Sequence, residues 1–227
     1  MNALPLDDVP AVKVYLGLPL FGSRAPPGGI KELGRRQAED FAMLLFKPVV
    51  VGAADELPSV VAALRQRGCL AAGQPVGLTG FSAGGAAVLV ALMQGKVAVS
   101  TAAIVNASTG LNASVHALER VTKQPYAWTP ASRALAGRTD AARHAAQIAR
   151  GEPPTALLIV QGGRDAVLAP ETAIALDQAL RPYYRANGNG ARLKLMLVHG
   201  MPHDWTSDPH DAVGVSRAIG DWFDEYE

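Results

Sequence analysis

Gly80-Phe81-Ser82-Ala83-Gly84 follows an apolar run at residues 75–78 and leads into Ala86-Ala87-Val88-Leu89-Val90-Ala91-Leu92-Met93. The pattern predicts a strand, a sharp turn and a buried helix. A serine on such a turn is pushed out of the sheet plane with its hydroxyl exposed, and glycines two before and two after it let strand and helix pass without a clash. Ser82 is therefore a candidate nucleophile. Ala83, as the first helical residue, has an N–H with no carbonyl four residues back to bond, and the helix dipole favours negative charge beside it.

A serine hydroxyl needs a base to take its proton and an acid to hold that base in the right tautomer. Residues 156–161, Ala-Leu-Leu-Ile-Val-Gln, read as a fully buried strand, and Gly162-Gly163-Arg164-Asp165 ends it with a loop that carries Asp165 beyond the strand tip. Asp165 is the candidate acid. Residues 193–198 read as another buried strand, and the loop His199-Gly200-Met201-Pro202-His203-Asp204-Trp205 offers two histidines, one of which supplies the base. Asp204 is a rival acid, but a side chain adjacent in sequence to His203 reaches its ring only through an awkward turn.

In this order of nucleophile, acid and histidine the chain resembles the α/β-hydrolase family, with likeness to its compact dienelactone-hydrolase and prolyl-oligopeptidase relatives. The resemblance favours His203 over His199, because the family's histidine lies within the loop, after a glycine-containing turn and before an aromatic. It implies an α/β fold with a mainly parallel sheet of six or seven strands, helices on both faces, and a loop after an early strand that supplies a second oxyanion N–H. The early strand is expected at residues 12–17, followed by Leu18-Pro19-Leu20-Phe21. Pro19 has no N–H to donate, which leaves Leu18 or Leu20, with Leu18 preferred. The His-Gly pair that many relatives carry there is absent. So is the cysteine nucleophile common among dienelactone hydrolases.

The remaining pattern predicts helices over 35–45, 56–68, 83–94, 139–150 and 211–226, strands at 75–80 and 101–106, and a short strand or link at 48–52. Alternating buried runs and helical patterns imply one domain over residues 1–227. The antiparallel hairpin that often opens the family's fold has no room before residue 12, so either the sheet is minimal or a leading segment is lacking. Residues 111–154 stand where relatives insert a cap and are expected to form a small lid. Phe21, Phe81, Tyr126 and Trp128 are candidates for the substrate pocket; Tyr126 and Trp128 equally suit a role pinning the lid to the sheet.

Composition limits the alternatives. A hydrophobic content of 49%, 18% charged residues and a mean hydropathy of +0.12 suit one large core. A formal net charge of +1 provides no footprint for nucleic acid. The single cysteine, Cys69, cannot form an intrachain disulfide; it reads as a filler residue near a helix end, in a reducing compartment. No signal peptide or membrane-length apolar run is evident, so a cytoplasmic protein without a membrane partner is expected. The histidines lack metal-ligand spacing and no phosphate-binding loop follows Gly84, so neither metal nor cofactor is expected. A homodimer is compatible with the sequence. The expected activity is hydrolysis of a small carboxylic ester of short acyl chain. The same residues would serve a thioesterase or acyltransferase, and a ligand-binding protein on a hydrolase scaffold is the rival of another class.

Overall fold

The structure, a computed structural model, describes Leu6, Val9, residues 11–186 and residues 188–226. Four strands, β1 (Val76–Phe81), β2 (Val99–Val105), β3 (Ala156–Gly162) and β4 (Leu193–Val198), form one sheet in the order β1-β2-β3-β4, every neighbouring pair parallel. The β2 and β3 runs show the period-two division that a sheet covered on both faces requires. Ala102, Ile104, Leu157 and Ile159 join a large cluster on one face, while Ala103, Val105, Leu158 and Val160 join a smaller one on the other.

Sequential order with right-handed crossovers puts the connecting helices on a single face. That face carries α3 (Ala83–Gln94), then α4 (Leu111–Thr122), α5 (Pro130–Thr139) and α6 (Ala145–Ile148), then α7 (Pro170–Ala186). Before the sheet come α1 (Gly29–Asp40), a π-helical stretch (Phe41–Val51) and α2 (Gly52–Gln66), the last two packed into the same cluster. The opposite face is closed by α8 (Pro209–Tyr226), whose Val215, Ile219, Trp222 and Phe223 are buried there with Met201 and Trp205. The Trp222 indole donates to the Ala156 carbonyl at 3.3 Å, so even this apolar side chain leaves no buried donor unpaired. α3 is buried from Gly85 to Met93, which explains why its sequence is apolar without an exposed polar stripe.

Several expectations need correction. The sheet has four strands among the described residues, not six or seven. Residues 12–17 form no strand: the segment has no regular secondary structure and pairs with no strand among the described residues, and Val12 stands 77% exposed. A strand exists only through its neighbour, and β-prone sequence does not provide one. This segment is tied instead through Arg24, which donates to the Gly17 carbonyl at 2.9 Å and pairs with Glu56 on α2. The apolar run at 48–51 belongs to the π-helical stretch, not to a strand, with Val49 and Val50 buried in the main cluster. The helix expected over 139–150 shrinks to the four residues of α6. Asp140 adopts an extended backbone that ends α5, and its carboxylate accepts the Arg143 N–H, closing a turn instead. Cys69 is exposed, not a filler.

Residues 111–154 contribute Leu111, Ala113, Val115, Leu135, Ala136 and Ile148 to the main core. The Ile104→Ala variant is expected to lose about 2–5 kcal/mol of unfolding free energy, whereas Val12→Ser should stay within about 0.5 kcal/mol of the parent. Urea denaturation of both separates a buried strand from an exposed segment outside the sheet.

Candidate active site

Ser82 sits between the end of β1 and the start of α3 with φ 52° and ψ −116°, a conformation that costs a non-glycine residue about 1–3 kcal/mol and persists only where its surroundings impose it. They do so through contact at zero clearance. A Cβ on Gly80 would lie 2.4 Å from the carbonyl carbon and oxygen of Gly84, and one on Gly85 would lie 2.5 Å from the Ala107 Cβ. At Gly84 nothing lies within 4 Å. The tight passage thus depends on Gly80 and Gly85, not on the Gly80 and Gly84 pair that the motif suggests.

The three loop residues expected to act together do meet. His203 Nε2 is 3.1 Å from Ser82 Oγ, and His203 Nδ1 is 2.8 Å from Asp165 Oδ2. Because the carboxylate can only accept, Nδ1 carries the proton and Nε2 is left to accept from the serine hydroxyl. Each side chain comes from a different strand end on the carboxyl edge of the sheet, where a parallel sheet leaves its loops.

Asp165 is the most thoroughly held of the three. Its Oδ1 accepts the N–H groups of Val167 and Leu168, both at 2.8 Å, and its Oδ2 lies 3.2 Å from the Gln161 amide nitrogen as well as on His203. Burial alone would raise the carboxyl pKa, but the His203 hydrogen bond, the Leu168 N–H, the His203 charge and the Val167 N–H outweigh it and hold the group below the ordinary carboxylate range.

The His203 loop is set by its backbone. A Cβ on Gly162 would lie 2.3 Å from the Met201 carbonyl oxygen, and one on Gly163 would lie 2.8 Å from that of His199, so the glycine pair at the end of β3 is what admits the loop. Met201 and Trp205, two residues to either side of His203, are buried in the smaller cluster and anchor the loop from below. Phe81 packs its ring against His203, centroids 5.0 Å apart. His199 is exposed and its ring has no hydrogen-bond partner among the described residues. Asp204 accepts from the Thr206 N–H and hydroxyl, and the His203 ring bonds Asp165 instead.

The other candidates are more dispersed. The Leu18 carbonyl accepts from the Phe21 N–H, Leu20 has a positive φ of 70°, and Leu18 and Leu20 both pack on the main cluster. Phe21 is partly exposed beside them. Tyr126 donates its hydroxyl to Asp40 at 2.6 Å, and Trp128 meets Tyr126 edge to face at 5.0 Å, with the Arg133 guanidinium over its ring. These contacts tie residues 111–154 to the end of α1. Two participants escaped the sequence reading: Gln161, an amide inside a strand, and Asn106, whose only advance signal is its place at a strand end.

The family model of the prolyl oligopeptidase family matches residues 50–227. The chain belongs to that family. Among solved structures it is similar to TT1662 from Thermus thermophilus, with 20% identity, a TM-score of 0.62, and coverage of 91% of this chain and 74% of that one. It is also similar to a puromycin-hydrolyzing peptidase of Mycobacterium tuberculosis at 18% identity and a TM-score of 0.59, over 77% of this chain but 25% of that one. An acylaminoacyl peptidase of Pyrococcus horikoshii matches at 15% identity and a TM-score of 0.60, over 76% of this chain and 27% of that one. The chain thus spans about a quarter of these two peptidases. At such identities the likeness is one of fold, and the fold is that of the α/β-hydrolases. No curated protein matches the sequence significantly.

Two predictions follow from the local geometry. Gly84→Ala should leave the melting temperature unchanged or raised, since alanine in a helix gains up to about 1 kcal/mol over glycine, while Gly80→Ala and Gly85→Ala lower it and abolish labelling of Ser82 by a fluorophosphonate. For Asp165, a folded-state pKa below the ordinary value of about 3.9 means that its contribution is complete above that value and is lost as the pH falls through the lower one. Chemical denaturation across that acid window should therefore show a shallower loss of stability in Asp165→Asn than in the parent.

Proposed function

We propose that this protein is a serine hydrolase of carboxylic esters, of short acyl chain, working through an acyl-enzyme. The observation that carries the reading is the unbroken run of hydrogen bonds from Ser82 through His203 to Asp165. His203 Nε2 takes the Ser82 proton as Oγ attacks the carbonyl carbon, and Asp165 stabilises the imidazolium that results. The oxyanion of the tetrahedral intermediate is received by the Ala83 N–H and, as the second donor, the Leu18 N–H. His203 then returns its proton to the departing alkoxide. The alcohol leaves, and Ser82 holds the acyl group. Water, deprotonated by the same histidine, attacks the acyl carbon; the bond to Ser82 Oγ breaks, Oγ takes the proton back from His203, and the carboxylic acid is released.

Phe21, Phe81, Tyr126 and Trp128 are assigned to the walls of the acyl and alcohol sites, and residues 111–154 to their cover. The single cysteine supports a cytoplasmic setting. No helix is long and apolar enough to cross a membrane among the described residues.

A second reading, cleavage of amide bonds, is favoured by the family model. It uses the same residues, with an amine in place of the alkoxide. Thioester cleavage and acyl transfer to an alcohol or thiol differ only in the leaving group or the acceptor.

The test is turnover of p-nitrophenyl esters from acetate to octanoate beside aminoacyl p-nitroanilides. Ester hydrolysis should fall steeply beyond butyrate, and Ser82→Ala and His203→Ala should each lower kcat by at least about 1,000-fold. Faster turnover of the anilides would select the amide reading. Absence of turnover together with absence of fluorophosphonate labelling at Ser82 would remove both and leave a ligand-binding protein.

A further inference from the structure

Asn106 follows β2 directly and takes no part in the reaction set out above. It is fully buried, and its backbone lies in the left-handed region with φ 43°. Its side chain is fully engaged: Nδ2 donates to the carbonyls of Pro202 at 2.9 Å and His203 at 2.8 Å, and Oδ1 accepts the Gly162 N–H at 2.7 Å. Its own N–H donates to the Val160 carbonyl at 2.9 Å, and the carbonyl of the preceding residue, Val105, accepts the Ser82 N–H at 3.0 Å.

One amide group therefore joins three strand ends. It touches the β3 terminus that leads to Asp165 and the loop that carries His203, and it follows the residue that holds the Ser82 backbone. The Pro202 carbonyl has no other hydrogen-bond donor among the described residues, and the His203 carbonyl has only the Trp205 N–H at 3.1 Å besides.

We propose that Asn106 is the positioning residue for His203, fixing the height of its loop above the sheet edge and so the 3.1 Å reach from Nε2 to Ser82 Oγ. The inference rests on the serine-hydrolase reading for its catalytic consequence, but its geometric content concerns His203 alone. Removing the amide releases two carbonyls of the loop at once and strands the Gly162 N–H. Displacements of about 1 Å at a reacting group can cost about 100-fold in rate.

The bland explanation is that asparagine stands here only because it tolerates a left-handed backbone better than most residues. Glycine tolerates it better still. Asn106→Gly thus keeps the backbone geometry at ease while removing the side chain with its hydrogen bonds, and Asn106→Asp keeps the volume while removing the donors, so the two variants together separate the explanations.

In the full chain, Asn106→Gly is expected to lower kcat by about 10- to 100-fold with KM within about twofold. Fluorophosphonate labelling of Ser82 should slow by a similar factor, and the low-field proton resonance of His203 Nδ1–H should be lost or displaced. Asn106→Asp keeps the acceptor for Gly162 but replaces both donors with an oxygen, and should show the same losses. Labelling within twofold of the parent and an unmoved resonance in either folded variant would overturn the proposal. Loss of a cooperative melt in both variants would overturn it too, by making Asn106 a residue of the fold and not of the histidine. Because the resonance is read without turnover, a parent protein that shows it yet resists labelling refutes the hydrolase reading, while the response of the resonance to Asn106→Gly still decides this one.

Discussion

The arrangement depends on how closely β1 and α3 approach one another. At Gly80 the strand meets the backbone of Gly84 with no room for a single carbon, and at Gly85 the helix meets Ala107 in the same way. A chain that turns this sharply has few backbone solutions, and Ser82 occupies one that ordinary residues avoid. The strain is held by packing on both sides, since α3 is buried over most of its length and β1 is hydrogen-bonded to β2. What the turn gains is a partly accessible hydroxyl whose position is set by backbone and not by side-chain rotamers alone.

Around that point the carboxyl edge of the sheet is organised by polar groups that satisfy one another. Asp165 accepts from two backbone N–H groups, one amide and one imidazole; Asn106 spends its whole side chain on three backbone partners. Buried polar groups are costly when left unpaired, and an incomplete set would weaken the edge more than apolar side chains in its place. Completeness also makes each member dependent on the others, so that the ring of His203 is located by contacts from β2, β3 and its own loop together. The hydrogen bond from His203 and the N–H groups of Leu168 and Val167 hold the Asp165 carboxyl below the ordinary carboxylate range despite its burial.

Much of this was legible in the sequence where the signal is local. The strands at β1, β3 and β4, the helix α3 and the Ser82, Asp165 and His203 positions all declare themselves through apolar runs, turn residues and their order, although β4, expected to be buried, lies at the edge of the sheet with Leu197 half exposed. The segment 12–17 misled because alternating β-prone residues say nothing about whether a neighbouring strand stands beside them. Residues 48–51 misled because a buried helical stretch and a buried strand look alike over four apolar residues. Gly85, Gly162 and Gly163 matter through contacts with Ala107, Met201 and His199, the last two more than thirty positions away in the chain, and Asn106 through partners nearly a hundred positions away. No local pattern encodes contacts of that span.

The order of elements along the chain has a consequence for how the molecule comes into being. Synthesis proceeds from the N-terminus, and domains tend to organise as their segments emerge. The large cluster draws mainly on residues made before β4, so that face of the sheet can begin to condense early. The cluster on the opposite face of β2 and β3 is completed only by α8, and the histidine loop, whose Met201 and Trp205 join that cluster, lies between β4 and the same helix. Ser82 is therefore made 121 residues before the imidazole that meets it. Packing of that apolar face and the placement of His203 at Ser82 are thus coupled through Met201 and Trp205.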